Sequence, residues 1–310
     1  DYVGNLDYIP VPIQRAAPDP AAIEQAARAL LAATNPLLWA GQGVLYAEAS
    51  DLLATLAELV PAPVVTTNPG KSAIPENHPL ALGASTRSRP KMFTEFMARA
   101  DMVLAIGSSL TKTPFGPGIP SGKKIIHSTN EASDINKEYS VDYSLIGDAA
   151  LVLEALIEEI GLQKGTSKGT ELAALHDEVA AVKRAWQEEW SVHLNSDEVP
   201  INQYRVIRDL TRTVDRDAVI ITHDSGSPRE QLLPFWETTV AGSYMGWGKS
   251  TQLGYSLGLT MGAKLAAPDK LCINIMGDAA IGMTGMDIET AARYGIGTLT
   301  IVFNNESYGA

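Results

Sequence analysis

The sequence predicts an α/β fold with two doubly wound parallel-sheet domains, because strand-length apolar runs alternate with helix-length segments along most of the chain. The alternation is clearest near the end, where the apolar runs 271–276 and 298–303 flank a helical segment at 286–293. Mostly apolar strands of this kind are typical of a parallel sheet that is buried on both faces. Gly295 stands where a left-handed residue would end the helix.

The first predicted domain spans residues 19–162. Its predicted strands are 36–40, 64–67, 102–106 and 124–127, and its predicted helices are 19–33, 48–59, 92–100 and 148–160. Asp19 and Pro20 open the first helix, with the proline near its first position. The strands at 36–40 and 102–106 each lead into a glycine-containing turn, at 41–43 and 107–109.

Two segments are predicted to connect the domains rather than belong to them. Residues 1–18 are Pro-rich and read as a linker, and residues 163–200 combine a polar linker with a connecting helix at 171–192. Trp186 and Trp190 are four residues apart on this helix and therefore face the same side. We expect them to dock the helix onto a neighbouring domain rather than to form an aromatic binding platform.

The second predicted domain, residues 201–310, has a helix at 202–213, a strand at 218–222 and a helix at 252–266 before its last two strands. Both ends of the chain look cut, since residue 1 is not a methionine and residue 310 falls in mid-domain. We therefore expect a fragment, truncated at both ends, of a longer protein.

The composition limits the classes of function. Charged residues make up 19% of the 310-residue chain and apolar residues 45%, which is typical of a globular protein. The net charge of −12 argues against nucleic acid as a partner. The single cysteine, Cys272, lies in a predicted buried strand and cannot form an internal disulfide. Without an apolar run that could span a membrane or a visible signal peptide, the sequence predicts a cytoplasmic protein with no membrane partner.

Acid and amide side chains follow the last two predicted strands. Asp278 closes the first and Asn305 the second, and their separation of 305 − 278 = 27 positions is about one βαβ crossover. Since the crossover returns the chain to the same edge of the sheet, the two oxygens can converge where open α/β sheets bind ligands. These donors suit Mg²⁺ held together with phosphate, although either residue alone could simply cap a turn.

Thr284 and Asp287 are spaced as a capping box. The spacing predicts that the intervening helix begins near Thr284. Its N-terminus would then offer partial positive charge to a phosphate group.

The coupled pattern at Asp278 and Asn305 resembles the signature of the thiamine-diphosphate (ThDP) enzymes, Gly-Asp-Gly followed after such a gap by Asn-Asn. The resemblance implies that Asp278, Asn305 and the backbone carbonyl of Ser307 ligate Mg²⁺, which would bridge the cofactor's diphosphate. Ala279 replaces the usual glycine, and Ala280 replaces a frequent serine, so that one hydroxyl contact to phosphate is missing. The cofactor-binding residues implied at this edge are Gly277, Asp278, Ala279, Ala280 and Asn305.

The same resemblance assigns roles to residues upstream. Leu253 matches the bulky apolar residue that props the two rings of ThDP into a V shape, whereas without the resemblance it is an ordinary core leucine on a helix. The carbonyl of Thr251 would accept a hydrogen bond from the aminopyrimidine. The small residues Ser225, Gly226 and Ser227, after the strand 218–222, would lie beside the diphosphate.

His223 has two interpretations. Histidine titrates near neutrality, so this residue could carry a proton in catalysis. The alternative is a hydrogen-bonded histidine at a strand end with no catalytic role.

ThDP enzymes activate the cofactor with a glutamate from an N-terminal domain, usually donated by a second subunit. That domain would precede Asp1. The resemblance therefore implies that this stretch alone is inactive, and that the whole enzyme is a homodimer or homotetramer with active sites between chains.

The resemblance spans nearly the whole chain and is to acetolactate-synthase-like enzymes. Residues 285–294 are very similar to the corresponding helix of oxalyl-CoA decarboxylases and 2-hydroxyacyl-CoA lyases, which cleave next to a thioester and release a formyl-CoA. Residues 304–309 fit acetolactate synthase, which couples two 2-oxoacids after decarboxylation. Our first expectation is a 2-hydroxyacyl-CoA lyase-like enzyme. The alternatives are an acetolactate-synthase-type carboligase and a catalytically silent cofactor-binding protein.

By the same resemblance the first domain has a sirtuin-like nucleotide fold, which would hold ADP or CoA in an acyl-CoA enzyme and FAD in a true synthase. Arg87, Arg89, Lys91 and Lys112 are cations that could meet CoA phosphates, although scattered cations on an acidic protein are usually solvated surface. The acid expected at 128–130 for an adenosine ribose, and the arginine common after the glycine of 107–109, are both missing.

Overall fold

The computed structural model describes residue 12 and residues 14–163, 169–247 and 252–308. Within these ranges the chain forms two sheets, and every strand pairing in both sheets is parallel. The prediction of two doubly wound α/β domains is confirmed.

The first sheet has six strands in the spatial order β3-β2-β1-β4-β5-β6. The strands are β1 Pro36–Ala40, β2 Val64–Thr66, β3 Ala81–Ala84, β4 Met102–Ile106, β5 Lys124–Thr129 and β6 Tyr143–Ile146. The helices of this domain are α1 Pro20–Ala32, α2 Gln42–Tyr46, α3 Ser50–Leu59, α4 Lys91–Arg99 and α5 Ala149–Gln163. The strand order reverses between β1 and β4, which is the position where doubly wound sheets bind ligands.

Helices cover both faces of this sheet. On one face, α1, α3 and α5 bury a cluster that includes Leu53, Leu56 and Leu156. On the other face, α4 packs Phe93 and Phe96 into a second cluster. Because both faces are covered, the residues of β4 are buried throughout, as the apolar run 102–106 predicts.

The connecting segment consists of α6 Gly169–Glu189 and α7 Ser191–Leu194. Trp186 and Trp190 of this segment lie together, with ring centroids 5.2 Å apart. Both contact Phe235 of the second domain, on which Trp186 is stacked at 5.8 Å. The prediction that the two tryptophans dock the helix onto a neighbouring domain is confirmed.

The second sheet has four strands in the order β10-β9-β7-β8. The strands are β7 Val219–His223, β8 Tyr244–Met245, β9 Leu271–Gly277 and β10 Leu299–Phe303, and the helices are α8 Gln203–Thr213, α9 Ser227–Phe235, α10 Tyr255–Ala266, α11 Asp278–Thr284 and α12 Asp287–Arg293. Gly295 follows α12 with φ of +66°, which confirms the predicted left-handed end. In the described ranges, no helix is both long and apolar enough to cross a bilayer.

A buried ion pair joins the two domains. Lys71 and Glu76 follow β2 and are only 1% and 4% exposed, and the Lys71 ammonium lies 2.6 Å from both carboxylate oxygens. The same carboxylate accepts a hydrogen bond from the backbone N–H of Thr238 in the second domain, at 2.9 Å. The charged pair is therefore also a bridge between domains.

Candidate cofactor site at the strand ends of the second sheet

The carboxyl ends of three strands meet at one edge of the second sheet. Gly277 at the end of β9 is in register with Phe303 at the end of β10. His223 at the end of β7 is in register with Ile275, two residues before the end of β9. The residues that follow these strands, among them Asp278, therefore lie along one edge, as the spacing predicts.

The predicted capping box is wrong, because α11 begins at Asp278, directly after β9, and Thr284 lies inside this helix. Thr284 cannot be an N-cap, since that position needs a non-helical backbone whereas Thr284 is itself the last residue of α11, and the N-cap of the following helix α12 is Met286. The Thr284 hydroxyl instead donates to the carbonyl of Gly254 at 3.2 Å. The helix N-terminus that faces this edge thus belongs to α11.

The loop after β10 is folded by two short side-chain bonds. The Asn304 side-chain oxygen accepts from the N–H of Glu306 at 3.0 Å, and the Asn305 oxygen accepts from the N–H of Ser307 at 3.2 Å. Asn305 and Ser307 are exposed, and Asp278 is partly exposed. A carboxylate, an amide oxygen and a backbone carbonyl are hard oxygen donors of the kind Mg²⁺ takes. The residues present therefore fit the metal that the resemblance implies.

A site of this kind is distinct from one built of acids and histidines. No group of three or more His, Cys, Asp or Glu side chains that could hold a metal occurs in the described part of the chain. The predicted Mg²⁺ set contains only one such residue, Asp278, and relies on neutral oxygens for the others. Phosphate oxygens of a bound cofactor would complete it.

The turn between β7 and α9 leaves space for a phosphate. Gly226 has φ of +83°, and a side chain there would meet no atom within 4 Å. The nine-residue helix α9 begins at the next residue, Ser227, so its N-terminus lies at the same edge, although Pro228 at its second position has no N–H to donate. Gly277 is also open, whereas Ala280 is buried in the small cluster that includes Met276.

Asp224 was not predicted from the sequence as a site residue, yet it organises this edge. Its carboxylate is fully buried and accepts hydrogen bonds from Ser225, Gly254 and Ser256. The shortest comes from the Ser256 hydroxyl at 2.6 Å. In the sequence, an acid directly after a strand is interpreted as a turn-forming residue. Only its contact with α10 in the folded structure shows the role of Asp224. Asp224 thus holds the start of α10 against the end of β7.

Leu253 lies just before α10 and is partly buried against the cluster of Leu257, Met276 and Ala280. Gly254 after it adopts φ of +88°, a left-handed conformation that a larger residue would hold only under strain. A side chain on Gly254 would also collide with Thr284. Thr251, whose carbonyl is predicted to contact the cofactor, lies outside the described residues.

His223 is buried inside the second domain, with 1% of its surface exposed. Burial lowers its pKa to about 4, and the hydrogen bond from its Nδ1 to the Asp224 carbonyl at 3.0 Å opposes the shift only in part. The Tyr255 hydroxyl lies 3.3 Å from the same nitrogen. The ring is therefore neutral at pH 7, which favours the hydrogen-bonded strand-end interpretation over the proton carrier.

The first domain contains a cavity of about 520 Å³ at the switch point of its sheet. Residues that follow β1, β4 and β5 line it, including Gly41, Gly107 and Asn130. Of the four cations proposed for CoA, only Lys112 lines this cavity, with its ammonium 4.8 Å from the Tyr139 ring centre. Arg87 and Arg89 are exposed elsewhere, and Lys91 lies 3.9 Å from Glu189.

Comparison with known families agrees with this geometry. The family described as thiamine pyrophosphate enzyme, central domain, matches residues 23–156. The family described as thiamine pyrophosphate enzyme, C-terminal TPP binding domain, matches residues 224–310. The chain therefore contains a ThDP-enzyme central domain and a ThDP-enzyme C-terminal, ThDP-binding domain.

Curated relatives include several kinds of ThDP enzyme. A probable acetolactate synthase large subunit from Methanococcus aeolicus is 28% identical over 94% of this chain and 50% of its own length. A sulfoacetaldehyde acetyltransferase from Alcaligenes xylosoxydans xylosoxydans is 29% identical over 97% of this chain and 54% of its own. A pyruvate oxidase from Lactiplantibacillus plantarum is 24% identical over 94% and 47%. The chain spans about half the length of the curated relatives it matches.

Proposed function

We propose that the protein is part of a ThDP- and Mg²⁺-dependent enzyme that breaks or forms a carbon–carbon bond next to a carbonyl group. The observation that carries the proposal is the register of β9 with β10, which sets Asp278 beside the loop of Asn304 and Asn305. The match of this region to a ThDP-binding domain supports the same assignment.

Different residues at the carboxyl edge of the second sheet would contact different parts of the cofactor. Asp278, Asn305 and the Ser307 carbonyl would hold Mg²⁺, while the turn 225–227 and the residues 277–280 would face the diphosphate. Leu253 would support the bent form of the cofactor, and the Thr251 carbonyl would accept from its amino group. Bound ThDP supplies a carbanion that adds to a carbonyl and a ring nitrogen that accepts the electrons of the broken bond.

Two reactions are candidates for this machinery. A 2-oxoacid decarboxylase/carboligase of the acetolactate-synthase type is favoured by the named relatives, which include acetolactate synthases. A 2-hydroxyacyl-CoA lyase is favoured by the sequence of residues 285–294 and by Lys112 at the central cavity. The other three cations proposed for CoA, Arg87, Arg89 and Lys91, do not line that cavity and so give no support to CoA binding there. The carboligase is therefore the better supported of the two reactions.

The central cavity offers a direct test of the two reactions. Mass spectrometry of the protein purified under native conditions identifies nucleotides that remain bound. FAD would support the carboligase, and ADP or CoA would support the lyase. Assays with ThDP and Mg²⁺ then follow acetolactate formed from pyruvate, or formyl-CoA released from a 2-hydroxyacyl-CoA. Absence of both activities in full-length protein that binds ThDP would overturn both candidate reactions and favour a silent cofactor-binding protein.

We propose that the active enzyme is a homodimer or homotetramer whose active sites lie between chains, as the family resemblance implies. Light scattering on the purified full-length protein measures the assembly. A monomer with full activity would contradict the proposal.

A further inference from the structure

A second cavity, of about 340 Å³, lies between the two domains. The central sheet contributes Leu82 and Ala84 of β3, the connecting segment contributes α6 and α7, and the second domain contributes α8 and the end of α9. None of its lining residues lines the central cavity or belongs to the predicted cofactor site. Small-molecule sites occur preferentially at such domain interfaces, and the volume is in their usual range.

The charges around this cavity do not cancel. Its charged lining residues are Lys71, Glu76, Lys183, Arg208, Arg212 and Glu237. Lys71 and Glu76 neutralise each other, and Glu237 pairs at 2.8 Å with Arg216, which does not line the cavity. Glu76 is therefore paired with Lys71, and Glu237 is paired with Arg216. Lys183, Arg208 and Arg212 remain as an excess of positive charge.

The three remaining cations are weakly compensated. The Lys183 ammonium donates to a neutral group, the Glu76 carbonyl, at 2.8 Å. Burial lowers the pKa of Lys183, and the carboxylates of Glu237 and Glu76 oppose this shift only in part. Arg208 lies 3.5 Å from Asp209, whose carboxylate is already held at 2.6 Å by Arg205. For Arg212, the described part of the chain shows no ion pair.

Aromatic side chains supply the apolar wall. Trp186, Phe235 and Trp236 all line the cavity, and Trp186 and Trp236 are 6% and 2% exposed. The buried indole N–H of Trp186 has no hydrogen-bond partner among the described residues. A buried donor left without a partner is costly.

We propose that this interdomain cavity binds a small organic anion, a carboxylate carried on an aromatic or other apolar body. Lys183, Arg208 and Arg212 would take the carboxylate, because guanidinium and ammonium groups give short charge-assisted bonds to carboxylate oxygens. The aromatic wall would bury the apolar body. The site is independent of the ThDP site, so its test does not depend on the proposed reaction.

Benzoate is a suitable probe, with benzamide as its uncharged counterpart. Calorimetric titration of the purified protein is expected to show one benzoate site per chain and much weaker binding of benzamide. Replacing Arg208→Gln together with Arg212→Gln should weaken benzoate binding by about tenfold or more. Arg184→Gln is the matched control, because Arg184 is an exposed arginine next to Lys183 that does not line the cavity.

A second variant keeps the proposal testable if the double arginine variant fails to fold. Gln187 is an exposed lining residue, so Gln187→Glu adds a negative charge at the cavity without disturbing the core. It should also weaken benzoate binding while leaving the unfolding midpoint unchanged. The proposal is overturned if benzoate gives no binding up to about 10 mM, if benzamide binds as well, or if neither set of substitutions weakens binding relative to Arg184→Gln.

Discussion

The Ser256 hydroxyl donates a 2.6 Å hydrogen bond to the buried carboxylate of Asp224. This bond ties the first turn of α10 to the end of β7, and the N–H of Gly254 donates to the same carboxylate. Leu253 immediately precedes this glycine, and Ser225 immediately follows the acid. One buried carboxylate therefore sets the spacing between the turn predicted to face the diphosphate and the residue predicted to support the bent cofactor.

Replacing Asp224→Asn should lower the free energy of unfolding by about 2–4 kcal/mol, because the amide turns two donor hydrogens toward buried N–H groups. Ser256→Ala removes only one donor and should cost about 1 kcal/mol. Urea unfolding measures both, and Asp287→Asn, at an exposed position of the same domain, is the control. Equal stability of Asp224→Asn and this control would show that the carboxylate does not organise the edge.

Replacing Leu253→Ala should slow turnover more than it weakens ThDP binding. The leucine is predicted to hold the cofactor in its reactive shape, which matters for the reaction more than for holding the diphosphate. Steady-state kinetics with ThDP titration separates the two effects. Leu265→Ala, on the exposed side of α10, is the control. A loss of ThDP affinity that accounts for the whole loss of activity would contradict the assigned role.

Replacing Glu76→Gln should destabilise the protein by about 3–5 kcal/mol, because it leaves the buried Lys71 ammonium without its counter-charge. Both the ion pair and the bridge to Thr238 would be affected. The matched control is Glu24→Gln, which breaks an exposed pair with Arg28 and should cost under about 1 kcal/mol. A similar shift of the urea midpoint in both variants would rule out the interdomain bridge as a major source of stability.

Because of His223, the free energy of unfolding should decrease as the pH is lowered from about 6.5. Its folded pKa of about 4 lies below the ordinary histidine pKa of 6.5, so the unfolded chain binds more protons between these values. The contribution is complete above pH 6.5 and is lost progressively toward pH 4, reaching about 3 kcal/mol. His223→Asn, which keeps a donor near the Asp224 carbonyl, should flatten this part of the stability profile. An unchanged profile in the variant would show that His223 is not the group responsible.

The sequence was sufficient for the long, uniformly apolar strands and for the pattern around Asp278. β1 and β4 lie where the apolar runs predict them, because burial on both faces leaves a continuous signal. β3 was missed since Ala81–Ala84 is short, contains glycine and lacks β-branched residues. β8 was missed because two residues carry no periodicity.

Several side-chain contacts between elements could not be read from the sequence. Thr284 has the spacing of a capping box, but the chain stays helical through Gly285, so the local signal was overridden by the earlier start of α11 at Asp278. The role of Asp224 depends on residues 30 and more positions away that only the fold brings near. The same holds for Glu76, whose hydrogen bond with Thr238 crosses a domain boundary.

We propose that the strand ends of the second sheet hold ThDP through Mg²⁺. Calorimetric titration of ThDP into the full-length protein, with and without Mg²⁺, tests it most directly when Asp278→Ala is compared with Asp287→Ala at an exposed position nearby. We expect Mg²⁺-dependent binding that is lost in Asp278→Ala and kept in Asp287→Ala. Unchanged ThDP affinity in Asp278→Ala would contradict the assignment of the metal site.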